Sequence, residues 1–109
     1  MERLSETPTI CPVTVAASAL SNKWRPVIVN RLLDGPKRFS EIRRLIPGIS
    51  SKVLSQNLAS LETQGIVKRR IVADARPVLV LYELTPKGRA LKDVLYEMEK
   101  WGLEWGIEH

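Results

Sequence analysis

Two amphipathic patterns joined by the short link PGIS, whose serine also begins the second pattern, constrain the fold of this chain more than any other feature. In the first, FSEIRRLI, apolar residues recur at helical spacing; in the second, SSKVLSQNLASLETQG, Leu54, Leu58 and Leu61 do so. Proline and glycine end the first pattern, and a three- to four-residue link that contains glycine is typical of a helix-turn-helix. We therefore predict a helix-turn-helix over residues 39–64, with Ser50 capping its second helix.

The other face of that second helix is short-chained and free of acid. No Asp or Glu occurs between Glu41 and Glu62, whereas a solvated helix usually carries charges of both signs. In the major groove, Gln can form paired hydrogen bonds with adenine, Ser can bond to several base edges, and Lys can reach guanine. We predict that this face reads bases through Ser50, Ser51, Lys52, Ser55, Gln56, Ala59 and Ser60.

Positive charge is concentrated around the same segment. The 109-residue chain has a net charge of +5 and a pI of about 9.7, but the stretch from Lys23 to Arg76 holds twelve basic and four acidic residues, a net charge of +8. This distribution indicates an anionic partner, although a basic face that is merely solvated is the alternative. The predicted phosphate contacts are Lys37, Arg38, Arg43 and Arg44.

A β-hairpin is predicted over residues 66–85. The β-branched runs IVKRRIV and VLVLYELT are joined by ADARP, which contains the residues of a turn. Helices followed by a helix-turn-helix and a hairpin form a winged helix-turn-helix, an α+β fold that is mainly α. Arg70 and Arg76 are the predicted DNA contacts of this wing, Arg76 in the minor groove, with Asp74 beside it as an opposing charge.

Two further helices flank this core. Pro12 starts a short apolar helix over residues 12–21, and Thr85 and Pro86 start a long helix over residues 86–106. The long helix carries an apolar stripe with little local core left to cover it, so we predict that the stripe meets a second copy in a homodimer; folding back onto its own domain is the alternative. The predicted interface residues are Val15, Leu91, Val94, Leu95, Met98, Trp101 and Trp105.

The composition offers little for catalysis or metal binding. The chain has one cysteine, Cys11, and one histidine, His109. One cysteine and one histidine are too few for a zinc site, which needs about four ligands, and they offer no positioned base for a Ser-His or Cys-His nucleophile. No phosphate-binding glycine loop is present. No apolar run approaches 18 residues and the N-terminus lacks a signal-peptide layout. We expect a single cytoplasmic domain over residues 1–109, without membrane contact, cofactor, metal or enzymatic activity.

Several segments together resemble the HxlR family of bacterial, MarR-like winged helix-turn-helix transcription regulators. They are CPV, KW, LLDGPKRFSEIRRLIPGISSKVLSQNLASLETQGIVKR and VLYELTPKG, followed by a Trp-Gly pair near the C-terminus. The likeness runs from Cys11 to about Gly106. It implies a homodimer, closed by the first and last helices, on an inverted-repeat operator in double-stranded DNA, with half-sites about 34 to 36 Å apart.

The resemblance also assigns the recognition segment and the wing to positions in this chain, and it shows two positions where the chain departs from the family. It places the recognition segment on Ser50 to Ser60 and the wing on Ala73 to Val78. Members of the family often have glycine where this chain has Asn22, which tolerates the same turn geometry. They also often have proline and arginine at the positions of Val78 and Leu79, so this chain lacks a basic wing residue and Arg76 is left as the main wing candidate.

Cys11 is a candidate thiol sensor. The resemblance places it where many family members carry a cysteine that responds to electrophiles or oxidants, and a position before Pro12 at a helix N-terminus lowers the pKa of a thiol. The alternative is a small buried hydrophobic residue at the dimer interface. A second candidate effector is a small aromatic ligand near Trp24, Trp101 and Trp105, although tryptophans between helices are more often core residues.

The sequence thus predicts a sequence-specific, dimeric DNA-binding transcription regulator, controlled through Cys11 or by a small ligand. The alternative function is a winged-helix protein–protein interaction module without an operator. The acid-free face of the second helix favours the regulator, because a scaffolding module has no need of it.

Overall fold

Side-chain caps define where three helices begin in the computed structural model, which describes residues 11–106. The Ser50 Oγ accepts a hydrogen bond from the Val53 N–H at 3.1 Å. The Thr85 Oγ1 accepts one from the Gly88 N–H at 3.1 Å. The Asn22 Oδ1 accepts two, from the N–H groups that follow it at the start of the next helix, at 2.8 and 3.1 Å. The caps of Ser50 and Thr85 confirm the helix starts predicted from the sequence.

The chain folds as a winged helix-turn-helix that is mainly α-helical, as predicted. Its elements, in chain order, are α1 (Pro12–Ala19), α2 (Trp24–Leu32), β1 (Lys37–Arg38), α3 (Phe39–Leu45), α4 (Ser51–Thr63), β2 (Val67–Val72), β3 (Leu79–Leu84), α5 (Pro86–Arg89), α6 (Lys92–Trp101) and a π-helical segment (Gly102–Gly106). Helices α3 and α4 are the helix-turn-helix, and β2 and β3 are the wing.

The sheet has three antiparallel strands in the order β1-β3-β2. In this register Lys37 of β1 and Arg69 of β2 both lie opposite Tyr82 of β3. The short strand β1 comes directly before α3, so its pairing with β3 fixes the start of the helix-turn-helix to the wing.

The core lies between α2, α3 and α4 and the base of the wing. The apolar stripe of α4 faces it, and Leu54, Leu58 and Leu61 are at most 1% exposed. Burying such a stripe stabilises the fold and leaves the opposite face of α4 in solvent. The buried apolar residues are Ile28, Val29, Leu32, Ile42, Ile46, Ile49, Leu54, Leu58, Leu61, Ile66, Val67, Leu84 and Leu95.

The C-terminal segment differs from the single helix predicted over residues 86–106. Helix α5 ends at Arg89, the chain turns, and α6 begins at Lys92. The Leu91 N–H bonds to the Gly88 carbonyl at 3.0 Å, one residue short of α-helical spacing. Each side of the break has its own contact: the Thr85 Oγ1 at the start of α5 donates to the Ile66 carbonyl at the base of the wing at 3.2 Å, and α6 buries Leu95 in the core.

No helix in the described part of the chain has the length and apolar character needed to cross a lipid bilayer.

Candidate nucleic-acid interface

The exposed face of α4 brings most of the predicted base-reading residues together. Its exposed members are Ser51, Lys52, Ser55, Gln56 and Ala59. They share one side of the helix because the apolar stripe occupies the other, and the first turn carries no acidic residue. The face is therefore a continuous row of short polar groups and one cation, which can approach an anionic surface closely.

The two ends of that row have different surroundings. Ser60 is half-buried at the edge of the face. Ser50 is exposed, but its Oγ accepts the bond from the Val53 N–H, so its hydroxyl proton is what remains to donate to a ligand.

Arg43 and Arg44 lie next to the turn that leads into α4. They line a concave region of about 420 Å³ together with Pro47, Gly48 and Ile49 of that turn. Within residues 11–106 neither arginine forms an ion pair with a carboxylate. Guanidinium groups that form no such pair are suited to binding phosphate.

The other two predicted phosphate contacts are already paired within the protein. Lys37 is half-buried and its ammonium bonds to Asp34, which lowers the pKa of that carboxyl group. The Arg38 Nε lies 3.6 Å from Glu41, whose pKa is lowered mainly by the hydrogen bond from the Arg38 N–H. Both carboxylates stay ionised and partly neutralise these cations, so the unpaired positive charge of this region belongs to Arg43 and Arg44.

The two predicted wing arginines are also engaged. The Arg70 Nε lies 3.1 Å from the Glu83 carboxylate, which also attracts the Lys68 ammonium at 3.8 Å across the β2–β3 pair. The Arg76 guanidinium folds back and donates to the carbonyls of Ala73 and Ala75 at 3.3 and 3.1 Å. Glu83 thus offsets part of the positive charge of the wing, whereas the bonds of Arg76 to neutral carbonyls fix its position without cancelling its charge.

One buried polar residue on α4 was not predicted from the sequence. Asn57 is 7% exposed and lies on the core-facing side of the helix, between Leu54 and Leu61. A polar residue at a core-facing position of an otherwise apolar stripe was the signal that could have identified it.

Cys11 is exposed and immediately precedes α1. Hydrogen bonds from the N–H groups of Thr14 and Val13, aided by the Thr14 hydroxyl, lower the pKa of the thiol because they stabilise the thiolate. Among the described residues, no three His, Cys, Asp or Glu side chains cluster as a metal site would require. His109 lies outside those residues.

We expect iodoacetamide to alkylate Cys11 in the folded protein with a pH midpoint below that of the urea-unfolded protein. The reason is that the N–H groups at the start of α1 exist as a set only in the folded state. The rate is measured against pH by mass spectrometry. Thr14→Val, which removes the hydroxyl but keeps the backbone N–H, should move the midpoint only part of the way. Equal midpoints in the folded and unfolded protein would contradict the expectation.

A second exposed surface is apolar and lies on α1 and the C-terminal helices. Val15, Val94, Met98, Trp101 and Trp105 are between 41% and 67% exposed. A groove of about 370 Å³ runs between α1 and α6, lined by Val13, Ala16, Ala17, Leu20, Val94 and Met98.

Two residues of the predicted dimer interface pack differently. Leu95 is 6% exposed and belongs to the core of its own chain, and Leu91 is half-buried against that core. Leu91 and Leu95 lie one turn apart and pack on the core of their own chain. For these two residues the alternative, that the helix folds back onto its own domain, is therefore the one observed. Trp24 also packs on the core, whereas Trp101 and Trp105 are exposed, so the three tryptophans do not share one environment.

Comparison with known proteins gives consistent matches. A family model described as HxlR-like helix-turn-helix matches residues 19–109. YvaP of Bacillus subtilis, an uncharacterised HTH-type transcriptional regulator, is 44% identical over 97 residues, which cover 88% of this chain and 89% of YvaP. The HTH-type transcriptional regulator YodB of the same organism is 46% identical over 94 residues, covering 85% and 83%. The structure of the redox regulator HypR in its reduced form superposes with a TM-score of 0.79 at 35% identity, covering 86% of this chain and 92% of HypR.

Proposed function

We infer the function from one premise: this chain belongs to the HxlR-like helix-turn-helix family. It is a DNA-binding transcription regulator, as its relatives are. We propose that its DNA-reading surface is the exposed face of α4 together with Arg43 and Arg44. The observation that carries this assignment is the row of short polar side chains without any carboxylate, adjoining two arginines that form no ion pair in the described chain.

In this proposal α4 lies in the major groove. Gln56 and Ser55 are near the middle of its exposed face and contact base edges, Lys52 reaches a guanine or a phosphate, and Ala59 permits close approach. Ser50, Ser51 and Ser60 contact the DNA from the ends of the row.

Phosphate contacts position the protein on the duplex. Arg43 and Arg44 bind phosphates beside the N-terminus of α4, while Lys37 and Arg38 contribute less because Asp34 and Glu41 already pair with them. Arg76 is the minor-groove contact of the wing. Arg70 must break its ion pair with Glu83 before its guanidinium can reach the DNA backbone.

We also propose that the protein acts as a homodimer on an inverted repeat. The exposed residues of α1, α6 and the π-helical segment form an apolar surface, and solvent exposure of two tryptophans on one surface is unfavourable unless a partner covers them. The two copies of α4 then contact half-sites about 34 to 36 Å apart on one face of the duplex.

We expect Trp101→Glu to convert the dimer into a monomer. The substitution places a charge in an apolar interface, which costs several kcal/mol unless it is paired. Tyr96→Glu is the matched control, because Tyr96 is 58% exposed on the same helix but five residues before Trp101, and therefore faces elsewhere. Sedimentation equilibrium of the parent and both variants checks the prediction. A Trp101→Glu variant that associates as the parent does would exclude this surface as the interface.

DNA binding is controlled through the Cys11 thiol in this proposal. Its thiol is exposed and its pKa is lowered, so the reactive thiolate is favoured, and one structural relative is named a redox regulator. Modification of Cys11 acts on α1, whose residues line the groove with α6, and so changes how the two DNA-reading surfaces are spaced. A small aromatic ligand is the second candidate effector; of the three tryptophans predicted to hold it, Trp101 and Trp105 are exposed and Trp24 packs on the core.

Selection of duplexes from a random pool tests the proposed function. We expect the parent to select an inverted repeat. Gln56→Ala should lose discrimination of about 1 to 3 kcal/mol at one base pair of each half-site, whereas Arg43→Ala should weaken all duplexes alike and reduce the salt slope by about 1 for each contact. Equal effects of both variants on every duplex would refute the assigned roles. A parent that shows no preference would favour the protein–protein interaction module.

A further inference from the structure

We propose that Asn57 is a positioning residue for sequence recognition, which holds α4 in the orientation that base reading requires without contacting DNA itself. The inference rests on the proposed function of α4. Asn57 is the one buried polar side chain in the described part of the chain, and it lies on the buried side of α4, whereas its neighbours Gln56 and Ser55 are exposed.

The polar atoms of Asn57 are all engaged. Its Nδ2 donates to the Val53 carbonyl at 2.9 Å, one turn earlier on α4. Its Oδ1 accepts from the Asn22 Nδ2 at 3.0 Å and from the Arg25 Nε at 3.3 Å. The side chain therefore joins the middle of α4 to the first residues of α2 through two hydrogen bonds of defined length and direction.

Those two donors are themselves held. The Asn22 Oδ1 caps α2, and Asn22 adopts a positive φ of 60° that places its side chain there. The Arg25 guanidinium also donates to the Ser18 carbonyl, in the last turn of α1, at 3.1 Å. One contact network thus joins three helices, and Asn57 is the side chain that links α4 to the other two.

The hydrogen bonds of Asn57 act on the orientation of α4 rather than on the stability of the fold. The leucines of α4 pack against their neighbours through contacts that tolerate small shifts along and around the helix axis. Hydrogen bonds weaken steeply when their angle or distance changes, so the bonds of Asn57 resist such shifts. Paired hydrogen bonds from Gln56 to a base have the same strict geometry, and a small rotation of α4 lengthens them all together.

Asn57→Leu is the direct test, because leucine fills a similar volume without the hydrogen bonds. Discrimination is measured as the ratio of dissociation constants for the duplex selected by the parent and for duplexes with one substituted base pair. We expect this ratio to fall about ten-fold or more at every base pair that α4 reads, with affinity for random duplex and its salt dependence unchanged. Gln56→Ala, the direct-contact control, should lower the ratio at one base pair of each half-site.

Arg25→Met provides a second variant in case Asn57→Leu does not fold by circular dichroism. It removes one of the two bonds to Asn57 and leaves the bond from Asn22, so the loss of discrimination should be smaller but spread over the same base pairs. Arg25→Lys, which keeps a donor, should restore part of it.

Two results would overturn the inference alone. One is a parent-like ratio at every base pair in Asn57→Leu, and the other is an equal loss of affinity for all duplexes, which a loosened fold also produces. A parent protein that prefers no duplex would reject the proposed function and this inference together.

Discussion

Gly88→Ala should lower the free energy of unfolding by about 3 kcal/mol or more, the largest stability effect that we expect from a single methyl group in this chain. A Cβ at Gly88 would lie 2.3 Å from the Ile66 carbonyl oxygen and 3.2 Å from the Ile66 carbonyl carbon. Both are backbone atoms, so no side-chain rotation relieves the overlap. The same Ile66 oxygen accepts the Thr85 N–H at 3.0 Å, so a shift that makes room also breaks the junction of the wing with α5.

Gly102→Ala is the matched control for this prediction. Gly102 is helical, and a Cβ there meets no heavy atom within 4 Å, so its change should stay within about 1 kcal/mol. Urea unfolding followed by tryptophan fluorescence, at one protein concentration, gives both values. Unfolding midpoints of Gly88→Ala and the parent that coincide would contradict the close contact.

Reversing both unpaired arginines should have the largest effect on DNA binding. For Arg43→Glu with Arg44→Glu we expect a loss of affinity on the order of 100-fold or more at moderate salt, because phosphate contacts are lost and carboxylates then face phosphates in both subunits. Fluorescence anisotropy over a salt series measures the affinity, and the slope against salt should become shallower.

The control for the arginine reversal changes the net charge by the same amount elsewhere. Lys92→Glu with Lys100→Glu alters two exposed residues of α6, one of which pairs with Glu97. We expect the affinity of this variant to remain within several-fold of that of the parent, since distant surface charges are screened at moderate salt. If both double variants lost affinity equally, net charge rather than a local contact would explain the effect.

The helix-turn-helix and the wing were predictable because local signals specify them. Ser50, Thr85 and the PGIS turn act within a few residues of the structure they produce, and the helical period of α4 separates its buried face from its exposed face. The break before α6 was not predictable in this way. The Leu91 N–H bonds to the Gly88 carbonyl at the break, while the apolar period of the sequence continues through it, so the pattern gives no sign that the helix is interrupted.

The candidate site was predicted in part for the same reason. The residues of α4 share a face by virtue of the helical repeat alone, but the pairing of Arg70 with Glu83 depends on the register of two strands. The network around Asn57 depends on how α1, α2 and α4 meet, which no segment specifies alone. Which residues are on the reading face remains a prediction until the duplex selection is done.

The pairing of Glu83 with both Lys68 and Arg70 bears on how quickly the protein finds its operator. Glu83 offsets one of the two charges of Lys68 and Arg70, so the wing attracts DNA of any sequence less than its four basic residues alone would. We therefore expect shorter residence on random DNA than four unopposed cations would give, and a smaller share of non-specific capture along the wing in the search for a specific site.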